Sequence, residues 1–96
     1  MSFQTRAEAR ASGLVAAEER LREERFAHAS AVLFVIGDPL GRDPGRFTMR
    51  LIQAMIVADT ANLAKLATAF PGLALTVAEA KYGDVDELRS LMVGAL

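Results

Sequence analysis

The sequence predicts a single all-α domain in which a long N-terminal helix precedes a compact cluster of three to four short helices. Ala occurs 18 times among the 96 residues, and Leu, Arg and Glu, which are also strong helix formers, are abundant. Apolar residues recur at helical spacing, and capping signals precede several of these segments. A chain of this length has room for one hydrophobic core, so residues 1–96 are expected to form one domain.

The balance of charges and the lack of cysteine exclude several classes of function. Eleven basic residues oppose twelve acidic ones, so no strong field attracts nucleic acid or an anionic membrane, and neither is expected as a partner. Without Cys the chain cannot form disulfides, iron–sulfur clusters or Cys-type zinc sites. The first ten residues lack the apolar core of a signal peptide, and the longest nearly apolar stretch, residues 26–37, is too short to span a bilayer. The expected location is the cytoplasm.

The first helix is predicted over residues 5–36. Thr5 and Glu8 have the spacing of a capping box, which favours a helix start at that point. In the charged run EERLREER, Glu18 and Arg22 have the i, i+4 spacing of a stabilising ion pair, and the run is interpreted as a solvated helix face. A weak heptad stripe has its members seven residues apart, at Ala7, Leu14, Leu21, His28 and Val35.

The end of this helix has a second interpretation. Residues 29–36 contain VLFVI, a β-branched and aromatic run that also suits a buried strand. A strand needs a partner, and residues 73–77 are the one candidate for that role. We therefore favour a helix that is apolar on all sides, which has to be buried in the domain or at a contact between subunits.

A loop and a central helix follow. Residues 37–45 read GDPLGRDPG, and three Gly and two Pro in nine residues end the first helix and form a surface loop. The next helix is predicted over residues 46–58, with Phe47, Leu51 and Met55 on its inner face.

Short helices complete the cluster that spans residues 46–96. Asp59, with Asn62 three positions later, caps a third helix. Pro71 ends this helix or opens the next one, and Gly83 suits the position that follows a helix. A capping signal at Asp84 starts the last helix, whose predicted inward residues are Val85, Leu88, Leu91 and Met92.

One segment resembles a known group of proteins. Its residues are Ala58, Asp59, Asn62, Lys65, Leu66, Ala69, Phe70, Pro71 and Leu73, within residues 49–73, together with Gly45-Arg46-Phe47. This pattern is similar to a motif of small helical actinobacteriophage proteins. The resemblance implies a helical phage accessory or structural protein in the host cytoplasm, with a place in the virion left open. It implies no catalytic residue, and physically the motif is explained by helix caps and a chain corner.

The sequence contains few residues that could serve in catalysis or metal binding. His28 is the only His, and no second group is visibly placed to orient it as a base. One His without Cys gives too few ligands for a typical transition-metal site, and no phosphate-binding glycine motif is present. We therefore predict no catalytic residue, no metal site, no cofactor and no enzyme activity.

Two sets of residues remain as candidate sites. The leading hypothesis is a non-enzymatic module that binds itself, preferably as an antiparallel dimer, or binds another protein, with an interface at Leu14, Leu21, His28, Val35, Phe26, Leu33 and Phe34. The alternative is a small-anion or nucleotide-binding protein that uses Arg42, Arg46 and Arg50 around the start of the central helix. Against this alternative, Asp38 and Asp43 are expected to neutralise these arginines locally.

Overall fold

Five helices make up the chain from residue 6 to residue 94, which is the part that the computed structural model describes; side chains are described from residue 13 onward. No strand occurs within residues 6–94, so the predicted all-α class is confirmed for that part. The predicted capping box of Thr5 and Glu8 lies outside the described residues and side chains. The helices are α1 (Arg6–Val35), α2 (Arg46–Val57), α3 (Thr60–Ala69), α4 (Pro71–Tyr82) and α5 (Val85–Gly94).

The ambiguous residues 29–36 are helical as far as Val35, as preferred. The C-terminal third of α1 packs against α2, α4 and α5 together, so all of its sides need apolar residues. Ala29, Val32 and Leu33 accordingly have no exposed surface. This enclosure by three helices, and not a partner strand, explains why the segment is β-branched and aromatic.

A Schellman motif ends α1 at the Gly/Pro loop. The amide of Asp38 donates to the carbonyl of Leu33 at 2.8 Å, and the amide of Gly37 donates to Phe34 at 3.1 Å. Gly37 has a φ of 85°, a left-handed conformation that residues with a Cβ rarely adopt. The loop then returns to α1, because the amide of Arg42 donates to the carbonyl of Ser30 at 3.2 Å.

The core lies where α2, α4 and α5 surround the C-terminal third of α1. Its largest fully buried side chains are Leu33, Ile52, Met55, Val32 and Val77. Two predicted inward positions are wrong, since Phe47 is 69% exposed and Leu91 is 39% exposed. The predicted inward residues Met55 of α2 and Leu88 and Met92 of α5 are buried as expected, and Ile52 of α2 is buried as well.

Two predicted capping residues, Asp59 and Asp84, accept hydrogen bonds from the first turn of their helices. Asp59 accepts a hydrogen bond from the amide of Asn62 at 2.7 Å, and Pro71 is the first residue of α4. Asp84 accepts from the amide of Asp86 at 2.9 Å at the start of α5. Gly83 follows α4 as expected, but its φ of −112° is not the left-handed conformation typical of that position.

The N-terminal half of α1 extends beyond the cluster. The molecule measures 56 × 31 × 25 Å and has a radius of gyration of 16.3 Å, whereas a compact chain of this length has one of about 12 Å. A helix of 30 residues is about 45 Å long, which exceeds the width of the helical cluster. None of the described helices is both long and apolar enough to cross a membrane.

Candidate protein interface

One exposed apolar surface belongs to residues 13–25 of α1, which we name the α1 arm. All of these residues except Ala17, which is half-buried, are exposed. Leu14, Val15 and Leu21 are exposed by 64%, 53% and 57%, although leucine and valine normally gain free energy from burial. The arm is therefore a helix with apolar side chains that its own chain does not cover.

A groove begins where the arm meets the last helix. The groove has a volume of about 510 Å³ and is named here the α1/α5 groove. Leu21 and Phe26 of α1 and Leu91 of α5 give it an apolar floor, and charged and small polar residues complete its walls. Its full lining is Glu18, Leu21, Arg22, Arg25, Phe26, Ser90, Leu91 and Gly94. An apolar floor with charged walls is the usual composition of a protein-binding surface.

The charged side chains of the arm form no ion pair with any other described side chain. Both ion pairs found there belong to Arg89, which binds Asp38 and Asp86. The predicted pair of Glu18 and Arg22 is not among them, and that expectation was wrong. The carboxylate and guanidinium groups that border the groove can therefore contact a partner without breaking an ion pair among the described side chains.

The predicted interface residues differ in how far the chain's own helices bury them. Leu14 and Leu21 lie on the exposed arm. Phe26 and Val35 are partly buried against the chain's own core, and His28 and Phe34 are half-buried. Leu33 has no exposed surface, so its assignment to an interface was wrong. The residues of the heptad stripe become buried from about residue 26 onward, because the helical cluster encloses α1 from that point.

His28 takes part in packing between α1 and α4. A Cβ atom at position 72 would lie 2.7 Å from Cε1 of the imidazole, so the ring occupies space that a side chain at this position of α4 would take. The imidazole also borders a shallower groove that contains the aromatic pair of Phe47 and Phe70, whose ring centroids are 6.4 Å apart. No hydrogen bond to an orienting carboxylate is found for it within the described side chains.

The three arginines of the alternative site are exposed, and two of them have other contacts. The guanidinium of Arg42 lies 5.8 Å from the centroid of the Phe26 ring, and Arg50 donates to Gln53 at 3.4 Å. Arg46 is the first residue of α2, where the flanking Gly45 provides no side-chain cap. The guanidinium groups therefore share no common partner among the described side chains.

The two aspartates expected to neutralise these arginines bind elsewhere. Asp43 accepts a hydrogen bond from the amide of Gly45 at 2.9 Å. Asp38 accepts one from the amide of Leu40 at 2.9 Å and forms an ion pair of 2.6 Å with Arg89 of α5. The Leu40 amide and then Arg89 hold the pKa of the Asp38 carboxyl below its ordinary value of 3.8. The expectation of local neutralisation was wrong for Asp38.

Two features that often mark a site for chemistry are absent from the described part of the chain. No group of three His, Asp or Glu residues is placed there to hold a metal ion. Nor is any buried side-chain nitrogen or oxygen left without a hydrogen-bond partner within those residues.

Comparison with protein-family models, with curated proteins and with solved structures gives no match to this chain. The resemblance of residues 49–73 to small actinobacteriophage proteins remains an expectation from the sequence.

Proposed function

We propose that this protein is a non-enzymatic interaction module that self-associates through the α1 arm and the α1/α5 groove. The observation that carries this proposal is the exposure of Leu14 and Leu21 on a helix that projects from the helical cluster. Exposed apolar side chains gathered along one helix are typical of interaction surfaces. The half-exposed Leu91 of α5 extends this surface beyond the arm itself.

A second copy of the chain is the preferred partner, and another protein is the alternative partner. A two-fold contact uses the same surface on both subunits, so it covers the groove-lining part of each arm in one closed assembly. A small domain also gains stability from association because it buries a limited share of its own surface. The cytoplasm, of a host cell if a phage encodes the chain, is the proposed location.

A charge placed in the groove tests this function. Leu21→Glu puts a carboxylate on the apolar floor, and burying it in the assembly would cost several kcal/mol on an order-of-magnitude basis. The matched control is Leu75→Glu in α4, because Leu75 is also exposed, by 72%, and does not line the groove. Light scattering on wild type and both variants is expected to show that only Leu21→Glu becomes monomeric.

An anion or nucleotide site at Arg42, Arg46 and Arg50 is the second candidate function. One observation favours it: Asp38 binds Arg89 and so leaves these arginines without that counter-ion. A thermal-shift screen with inorganic phosphate and nucleotides tests it, since a ligand that binds the folded state raises the melting temperature. A shift that disappears in Arg46→Glu would favour this candidate over self-association.

A further inference from the structure

The groove-lining residues of α1 form a self-complementary charge pattern. Glu18, Leu21, Arg22 and Arg25 have the spacing i, i+3, i+4 and i+7, which places them on one face of the helix, and all four line the α1/α5 groove. A carboxylate therefore lies at one end of the face and a guanidinium at the other. Leu21 and Arg22 lie between them, one on each side of the midpoint.

This pattern discriminates between the two ways in which two arms can pair. In a parallel dimer in register, Glu18 faces Glu18 of the second copy and Arg25 faces Arg25, so both contacts are repulsive. In an antiparallel dimer centred between Leu21 and Arg22, position 18 faces position 25 of the second copy. The same contact occurs twice about the two-fold axis, and both instances are attractive.

We propose that the occupant of the α1/α5 groove is the α1 arm of a second copy, antiparallel to the first about a two-fold axis between Leu21 and Arg22. Each Glu18 then faces Arg25 of the second copy, and each Leu21 faces Arg22 of the second copy, so that both Leu21 side chains lie close to the axis. This inference rests on the proposed self-association and adds the orientation and register of the pairing. It also explains why the charges of the arm have no ion-pair partner within the described side chains of their own chain.

Single cysteines report the orientation, because the natural chain has none to interfere. In the proposed dimer, copies of residue 21 are about 2 Å apart along the helix axis and copies of residue 14 are about 22 Å apart. A disulfide requires Cα atoms within about 7 Å. Under mild oxidation, Leu21→Cys is therefore expected to form a cross-linked dimer, and Leu14→Cys, a matched leucine replacement on the same exposed face, is not.

A mixture of variants tests the register. Glu18→Cys mixed with Arg25→Cys is expected to cross-link as a heterodimer, and more efficiently than either variant alone. Cross-linking of Leu14→Cys as efficiently as Leu21→Cys would overturn the antiparallel arrangement while leaving self-association intact. A wild type that is monomeric by light scattering would instead overturn the proposed function and this inference with it.

Charge-reversal variants test the pairing of positions 18 and 25 without introduced cysteines. Arg25→Glu alone makes both contacts repulsive and is expected to weaken dimerisation about tenfold. Adding Glu18→Arg to the same chain restores opposite charges at both contacts and is expected to restore dimerisation to near the wild-type level. A double variant that dimerises no better than Arg25→Glu would contradict the pairing of positions 18 and 25.

Discussion

The ammonium group of Lys81 donates a 2.7 Å hydrogen bond to the backbone carbonyl of Ala58, which lies 23 residues earlier in the chain. It also donates to the carbonyl of Met55 at 3.2 Å. The last turn of α2 contains no basic residue of its own. Lys81 of α4 therefore supplies the positive charge that stabilises the carbonyl end of α2, and it joins the two helices there.

Removing this ammonium should destabilise the fold. Lys81→Met keeps the length and apolar stem of the side chain but loses both hydrogen bonds, and it is expected to lower the free energy of unfolding by about 1–2 kcal/mol. Chemical denaturation measures the change. Lys65→Met is the control, because Lys65 is exposed and its replacement should change stability by less than about 0.5 kcal/mol. Equal effects of the two changes would contradict the role given to Lys81.

The ion pair of Asp38 and Arg89 should make stability depend on acid pH. The pKa of Asp38 in the folded protein lies below its ordinary value of 3.8 because the Leu40 amide and Arg89 stabilise its charged form. The unfolded chain therefore binds a proton more readily as pH falls. The stabilisation is fully present well above pH 4 and is lost as pH falls through the range below about 4.

Melting temperatures between pH 7 and pH 3 test this link. Asp38→Asn is expected to flatten the acid dependence relative to wild type, because the titrating group is gone. Arg89→Gln should flatten it only in part, since the Leu40 amide is the larger cause of the lowered pKa and remains. An acid dependence identical in wild type and Asp38→Asn would show that this carboxyl does not contribute.

Two glycines should respond in opposite directions to replacement by alanine. A Cβ at Gly41 would overlap the backbone nitrogen of Phe34, so the loop would have to move away from the end of α1. Gly41→Ala is expected to cost at least about 2 kcal/mol. Gly13 lies within α1 with open space around it. Gly13→Ala should therefore stabilise the helix, by up to about 1 kcal/mol.

Thermal denaturation of both alanine variants distinguishes steric overlap from a general effect of glycine. A Gly41→Ala protein as stable as wild type would contradict the close approach of the loop to Phe34. A less stable Gly13→Ala protein would contradict the assignment of that position to the interior of α1.

Local signals in the sequence predicted the helices and their caps well. Asp59 and Asp84 were recognised because a cap and the amide it binds are two or three residues apart. The helical state of residues 29–36 followed from the lack of a convincing partner strand. These features depend on neighbours in sequence, so the pattern of residue types is enough to indicate them.

Features that depend on tertiary packing were missed. The pair of Asp38 and Arg89 joins residues 51 positions apart. The sequence around either residue does not indicate that the other will be its partner. The exposure of Phe47, in the first turn of α2, and of Leu91, beside the α1/α5 groove, depends on which part of each helix its neighbours cover, and periodicity does not resolve this. For the same reason the contribution of α5 to the groove could not be predicted.

Sedimentation equilibrium of the wild-type chain across a wide concentration range tests the central claim most directly. The chain has a mass of 10.3 kDa. If the α1 arm and the α1/α5 groove cover each other in a dimer, the apparent mass should rise from this value at high dilution to twice this value at tens of micromolar, and stay there. A mass that remains at 10.3 kDa over the whole range would contradict self-association.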